Sequence, residues 1–297
     1  MTLPVGIIGL GNAGSALATA LSGKLPLYGY DINQERHQVV SHLPIEFTDS
    51  IVALGSQVSS VVLSLPKPEI SRATVAELLA GRSVPDLIIE TSTITPKVAQ
   101  ELDKMCQARK VSFVDAAIAG GVAGMAAGST TFLVGGTEAN YAKAHPVLDA
   151  MSETVMHLGP VGTGMGTKVV INAVLHALMV VLIEAGAMAS KQGIPMQTLI
   201  DILRREEGLL RPLTHRVQER ILAADYQGGM SVSNARKDSV LALEMAQELG
   251  VPLYAIQASH TPYEIAASSG MGDLDYAALA TLWETWAEVK FSNSTCT

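Results

Sequence analysis

The sequence predicts an α/β protein in two parts: a doubly wound parallel sheet, then an all-helical domain joined to it by one long helix. Three observations predict it. Short apolar runs alternate with helical stretches over the first half of the chain. A glycine-patterned turn, Gly9-Leu10-Gly11-Asn12-Ala13-Gly14, links the first apolar run to the first helix. Beyond Gly166 strand character disappears and only helical segments are read.

The strands are read over residues 5–10, 27–30, 61–65, 87–90, 111–115 and 131–134. Their apolar runs are unbroken rather than alternating, which implies burial on both faces and hence a parallel sheet covered by helices. The first crossover helix is predicted over 13–22. In the second half a long helix over 165–192 is stopped by Gly193 and Pro195, a glycine-then-proline exit. Further helices are predicted over 196–206, 210–224, 235–249, 253–267 and 276–289. Glycines at 159, 162, 164 and 166 mark the domain boundary. The expected division is 1–162 and 163–297.

Composition narrows the function classes. The chain has 297 residues, 48% of them hydrophobic and only 16% charged, so it is ordered and has more apolar surface than a lone monomer would hide. A homodimer or homotetramer is expected. The net charge of −8, without any Lys/Arg run, argues against nucleic acid. Cys106 and Cys296 make no disulfide framework, and the N-terminus reads as a core strand without a basic leader. A cytoplasmic location follows as an expectation. Residues 169–189 are apolar enough for a membrane span, but Asn172, His176 and Glu184 interrupt them; a buried helix of a soluble protein is expected, with no membrane partner. No His/Cys/Asp/Glu set has metal-ligand spacing, so no metal is expected. There is no G-x-S-x-G, which removes the simplest hydrolase reading.

The glycine turn matches G-x-G-x-x-G. By itself that pattern is weak, and a turn chosen only for helix–strand packing would satisfy it. Here it follows an apolar strand and opens a helix, the setting in which glycines let the backbone approach a pyrophosphate at a helix N-terminus. Gly9, Leu10, Gly11, Asn12, Ala13 and Gly14 are therefore candidate dinucleotide contacts, and the first domain is expected to be Rossmann-type. Asp31 ends the second strand, where a carboxylate accepts ribose hydroxyls and repels a 2′-phosphate. NAD is expected over NADP, since no arginine directly follows Asp31.

Lys168 and Asn172 are four residues apart at the start of the long helix, so they share one face with Cβ atoms roughly 5–6 Å apart. An ammonium in so apolar a stretch has a partner or a task. His176 continues that face and reads as a satisfied core histidine. The methionines read as core, and Trp283 and Trp286 as packing or interface anchors.

With these residues assembled, the chain resembles the β-hydroxyacid dehydrogenase family, which includes 3-hydroxyisobutyrate dehydrogenase and tartronate semialdehyde reductase. Five blocks carry the resemblance in order: Gly9–Gly14; Leu65-Pro66; Glu90-Thr91-Ser92-Thr93-Ile94-Thr95-Pro96; Asp115 to Gly121; and Gly162 to Asn172 together with Lys237-Asp238. The resemblance implies that Leu65, Pro66 and Lys237 line the cofactor and that Thr93 reaches its nicotinamide end. It implies that Ala119, Gly120, Gly121 and Thr93 line the substrate, with the backbone N–H groups of Gly120 and Gly121, plus Asn172, as candidate donors to its carboxylate, Lys168 as acid/base, and Asn172 orienting Lys168 or the substrate. The implied reaction interconverts a short 3-hydroxy acid and its semialdehyde with NAD. Ala117 and Ala119 stand where the family usually has Pro and Ser, which loosens the substrate identity. An imine reductase is a second enzyme reading, although such relatives generally lack the lysine. A non-catalytic dinucleotide-binding assembly module is a third, which would leave the Lys168/Asn172 pair a coincidence.

Overall fold

A computed structural model describes residues 4–292. The chain forms two compact units, Met1–Ala173 and Val174–Thr297.

In the first unit the glycine turn sits between β1 (Val5–Ile8) and α1 (Asn12–Leu21). β2 (Leu27–Tyr30), α2 (Glu35–Val39) and β3 (Ile45–Phe47) follow, then α3 (Ile51–Gln57), β4 (Ser60–Leu63) and α4 (Pro68–Ala80). Next come β5 (Leu87–Glu90), α5 (Pro96–Ala108), β6 (Ser112–Ala119) and α6 (Val122–Ala127). β7 (Thr131–Gly135), α7 (Glu138–Met151) and β8 (Thr154–His157) complete the sheet. Its order is β3-β2-β1-β4-β5-β6-β7-β8. All neighbours are parallel except β6 and β7, whose antiparallel return is made through the short α6 connection.

Alternate strand residues feed two cores. Val5, Ile7, Leu87 and Ile89 point into one; Ile8, Leu63, Ile88 and Phe113 point into the other. The unbroken apolar runs therefore arise as expected, from burial on both faces. Helix starts are fixed locally. Ser50, Thr95 and Thr137 each accept a backbone N–H from the first turn of α3, α5 and α7, a cap contributing about 1 kcal/mol. α4 and α5 also begin on a proline, which has no N–H to lose there.

Two strands go beyond the sequence reading. β3 and β8 lie at the sheet edges, short and half exposed, so they lack the unbroken apolar run that marks an inner strand. β6 is also longer than expected, and takes Asp115 to Ala119 into the sheet; of the segment read as a substrate loop only Gly120 and Gly121 leave the strand.

α8 (Thr163–Lys191) begins in the first unit and continues into the second. The second unit adds α9 (Met196–Leu203), a π-helical segment over Pro212–Ile221, α10 (Val232–Leu249), α11 (Ala255–Ala266) and α12 (Ala280–Trp286), the last preceded by a 3₁₀ turn. Gly193 and Gly250 end α8 and α10 with φ of +74° and +65°, values that only glycine takes at low cost. Met188, Ala246, Val251 and Leu253 form one small core there, and Val232, Ala266 and Leu282 another. Glu184 of α8 caps α11: its carboxylate accepts the N–H groups of Tyr254, Ala255 and Ile256 at 2.6, 2.9 and 2.9 Å.

α8 departs from the buried core helix expected. It is long and apolar enough to cross a membrane, yet only 11% of its most apolar window is buried. Val170, Val174, Leu175, Met179 and Ile183 are all exposed. His176 is exposed too, without a hydrogen bond or ion pair among the described residues, so it is not a satisfied core histidine.

Candidate active site

The crevice lies where the sheet reverses direction. β1 stands between β2 and β4, so successive crossovers leave on opposite sides and their loops part at the C-terminal ends of the strands. The glycine turn lies in that opening. Gly9 has φ +93°, and a Cβ there would collide with the carbonyl oxygen of Ser64. A Cβ on Gly14 would collide with the carbonyl of Gly9. The first and third glycines are thus required by the protein's own packing. Gly11 is not: a Cβ there meets no protein atom within 4 Å. Gly11 also stands at the N-cap of α1, which has no side-chain cap, so the bare position leaves room for an anion at open backbone N–H groups.

A cavity of about 600 Å³ opens from that turn. It brings Gly9, Gly11, Asn12, Ala13, Asp31, Leu65 and Pro66 together. Leu10 and Gly14 do not line it. Leu10 is fully buried and contributes through its backbone, donating its N–H to Asp31 Oδ2 at 2.7 Å. Asp31 Oδ1 accepts the N–H of Asn33 at 2.8 Å, so the acid braces the glycine turn as well as facing the cavity. The sequence reading missed the far wall, Ile70, Ala73, Thr74 and Glu77 of α4, and the exposed Ile32. Pro66 was the available signal, because α4 starts two residues after it. The bare Gly11, the uncapped helix start and the cavity-lining Asp31 fit a dinucleotide.

The segment after β5 is tied to the end of β4 and to Leu65. Thr91 Oγ1 donates to the carbonyl of Leu63 at 2.6 Å, and Ser92 Oγ accepts the N–H of Leu65 at 2.8 Å. The segment leading to Thr93 is thereby tied to Leu65 and Pro66. Thr93 itself is exposed and has no hydrogen-bond partner among the described residues. Behind it Glu90 is fully buried, its Oε1 accepting the N–H of Ser92 at 2.8 Å. Burial pushes the Glu90 carboxyl up to about 7; Ser92 and Ser71 oppose the rise and neighbouring Asp115 adds to it. Glu90 Oε2 and the Ser71 hydroxyl make no bond of good geometry. Sequence reasoning quoted Glu90 only as part of a block and assigned it nothing.

α8 starts against β7 and the head of α5. A Cβ on Gly164 would collide with the carbonyl of Leu133, and those on Gly162 and Gly166 would lie 3.2 and 3.5 Å from Pro96. The glycines let α8 lie flat on β7 and on the head of α5, which places its first turns beside the segment that carries Thr93. Lys168 and Asn172 are both half-buried on this helix, and neither has a hydrogen bond or ion pair among the described residues. Ala119 is half-buried and Gly120 and Gly121 are exposed at the end of β6. Lys237 belongs to the second unit, exposed on α10 with its Nζ 3.2 Å from Asp238. Among the described residues no group of His, Cys, Asp and Glu could hold a metal. Cys106 is buried and its thiol is pushed up to about 12, chiefly by burial and further by Asp103; Cys296 lies outside the described residues.

Comparison with known proteins matches both units. A family described as the NAD binding domain of 6-phosphogluconate dehydrogenase matches residues 4–159. A second, described as NAD-binding of NADP-dependent 3-hydroxyisobutyrate dehydrogenase, matches residues 162–283. The chain belongs to the β-hydroxyacid dehydrogenase family. Among its relatives, the NAD-dependent L-serine dehydrogenase of Pseudomonas aeruginosa is 30% identical over 94% of this chain and 97% of its own. The 2-(hydroxymethyl)glutarate dehydrogenase of Eubacterium barkeri is 26% identical over 98% of both. The solved 3-hydroxyisobutyrate dehydrogenase of Mycobacterium tuberculosis with L-serine is 27% identical, with a TM-score of 0.66 over 95% of this chain and 99% of that one. An imine reductase from a Pseudomonas species has a TM-score of 0.85 at 21% identity, covering 95% of this chain and 99% of that one; that likeness shows the fold alone. This β-hydroxyacid dehydrogenase is an oxidoreductase acting on a CH–OH group with a nicotinamide dinucleotide.

Proposed function

We propose that the protein interconverts a short 3-hydroxy acid and its semialdehyde with NAD, Lys168 serving as the acid/base. The observation that carries this is the position of Lys168 and Asn172: one helical face, on turns packed through Gly162 and Gly166 against Pro96, beside the segment that carries Thr93. The dehydrogenases of serine, 3-hydroxyisobutyrate and 2-(hydroxymethyl)glutarate among the relatives supply the substrate class, each acting on a hydroxyl near a carboxylate.

In this reading the backbone N–H groups of Gly120 and Gly121 donate to the substrate carboxylate and leave its hydroxyl facing Lys168. The dinucleotide, when bound, supplies the hydride acceptor in oxidation and the hydride donor in reduction. Lys168 Nζ takes the hydroxyl proton during oxidation and returns it during reduction. In reduction its positive charge also stabilises the developing alkoxide. Asn172, one turn on, orients the ammonium or the substrate, and Thr93 meets the nicotinamide end. Asp31 favours NAD through the ribose, and Lys237 is the second unit's cofactor contact. A homodimer or homotetramer in the cytoplasm completes the reading; the exposed apolar face of α8 supports the assembly alone.

The test is initial-rate measurement by NADH absorbance, wild type against Lys168→Ala, over 3-hydroxy acids with NAD⁺ and semialdehydes with NADH. A fall in kcat of about 10²–10⁴ with NADH still bound is expected. Undiminished turnover in the variant rules Lys168 out as acid/base. Turnover of imines alone rejects the hydroxy-acid reading.

A further inference from the structure

Asp115 is wholly buried in β6, in the sheet row that also holds Glu90. Its Oδ1 accepts the N–H of Gly162 at 2.7 Å, and its Oδ2 accepts that of Met165 at 2.8 Å. Both donors belong to the start of α8, where backbone N–H groups have no partner inside the helix. A carboxylate suits this place: two equivalent oxygens take two divergent N–H groups, and the negative charge meets the positive end of the helix. The surroundings fix it. A Cβ on Gly135 would collide with Oδ1, and one on Gly164 would stand 3.0 Å from Oδ2. The strand that carries Asp115 ends four residues later at Ala119 and leads into Gly120 and Gly121. The helix that Asp115 holds carries Lys168 three residues after Met165.

We propose that Asp115 is a positioning residue: it clamps the first turn of α8 to β6, and so sets Lys168 against the substrate segment at 119–121. This rests on the acid/base reading of Lys168. Asp115 acts through the helix, and its removal displaces Lys168 rather than deleting a reacting group. Misplacement of a reacting group by about 1 Å costs on the order of 100-fold in rate.

Asp115→Asn keeps one acceptor and turns the other oxygen into a donor that opposes an N–H. In the full-length enzyme it should lower kcat about 100-fold, with the Kd for NADH and the KM for the hydroxy acid held within about threefold. Amide exchange at Gly162 and Met165 should speed up by about tenfold or more. A double-mutant cycle separates positioning from general damage: in a Lys168→Ala background, Asp115→Asn should lower the residual kcat no further. The proposal is overturned if kcat stays within about twofold, or if the fractional loss is equal in both backgrounds. If the wild type turns over no hydroxy acid, the reaction reading fails by itself, and the exchange rates decide the clamp: unchanged exchange in the variant overturns it. Should Asp115→Asn not fold, Asp115→Ser keeps an acceptor in less space and faces the same readouts. Should neither fold, Gly162 and Met165 amides exchanging in the wild type at the rate of unstructured peptide overturn the clamp.

Discussion

Glu90 and Asp115 are register partners on β5 and β6, so two fully buried carboxyls stand side by side in one row of the sheet. The pair differs in what it has been given. Asp115 receives two backbone N–H groups from α8, whereas Glu90 receives one, from Ser92, and leaves an oxygen without a partner. Like charges so close in a buried row cannot both be well solvated, and the proton goes to the less supported acid. Burial raises both carboxyls: Glu90 goes up to about 7, while at Asp115 the N–H groups of Gly162 and Met165 oppose the rise.

That assignment predicts a pH dependence of stability. A carboxyl whose folded pKa lies above its unfolded one stabilises the fold fully below the unfolded value, 4.5, and loses this as pH rises through about 7. At 1.36 kcal/mol per pH unit the loss is roughly 3 kcal/mol. Glu90→Gln mimics the neutral acid and keeps an acceptor for Ser92. Denaturant unfolding at pH 4.5 and 7.5 should therefore show the wild type losing about that much relative to the variant. A stability difference that stays constant over this range rejects a raised Glu90.

Glu184 has the opposite sign. Burial raises its carboxyl, but the N–H groups of Ile256, Ala255 and Tyr254 outweigh that and hold it below the ordinary range. Its contribution is present above pH 4.5 and is lost as pH falls through the lower folded value. Glu184→Gln turns one acceptor toward a backbone N–H as a donor, and should cost about 1–3 kcal/mol at neutral pH. Unfolding followed by circular dichroism checks it, and a variant as stable as the wild type at pH 7 denies the cap.

The glycine turn separates two causes that the motif alone conflates. Gly14→Ala puts a Cβ onto the carbonyl of Gly9, and should destabilise the protein by about 1–3 kcal/mol. Gly11→Ala meets no protein atom; it should leave the melting temperature nearly unchanged and weaken NADH by about tenfold or more through the space taken from the pyrophosphate. If Gly11→Ala binds NADH as the wild type does, the pyrophosphate does not lie against Gly11.

Much of this was legible in the sequence because the inner strands β1, β4 and β5 are buried on both faces, and such burial writes itself as unbroken apolar runs. The turn from Gly9 to Gly14 and Asp31 stood out because they follow apolar strands at the spacing of a known motif, whereas Leu65 and Pro66 came only through the resemblance to the family. β3 and β8 were not, since a half-exposed edge strand of three or four residues leaves no run. Nor were the roles of Glu90 and Asp115. An acid in an apolar strand marks a site, but whether it binds substrate or clamps a helix depends on which N–H groups arrive from elsewhere, here from residues 47 and 50 positions further along. The exposure of α8 was hidden for a related reason: an all-round apolar helix has one sequence signature whether its own chain or another surface covers it.

The exposed residues of α8 give the last prediction. Val170, Val174, Leu175, Met179 and Ile183 follow one another at spacings of four, one, four and four residues, so the apolar surface runs down the helix rather than collecting at one end. Left in water, such a surface is costly at about 25 cal/mol per Å², and a second copy of the chain would cover it with the same residues by two-fold symmetry. Light scattering of the wild type at micromolar concentration should give a dimer or a tetramer. Val174→Lys with Ile183→Lys places two charges on that surface, and should shift the mass toward the monomer while each unit keeps its helical circular dichroism. A wild-type monomer, or an assembly unchanged by the two lysines, removes α8 from the interface; recovery of the wild type in detergent extracts alone would point instead to lipid as what covers it.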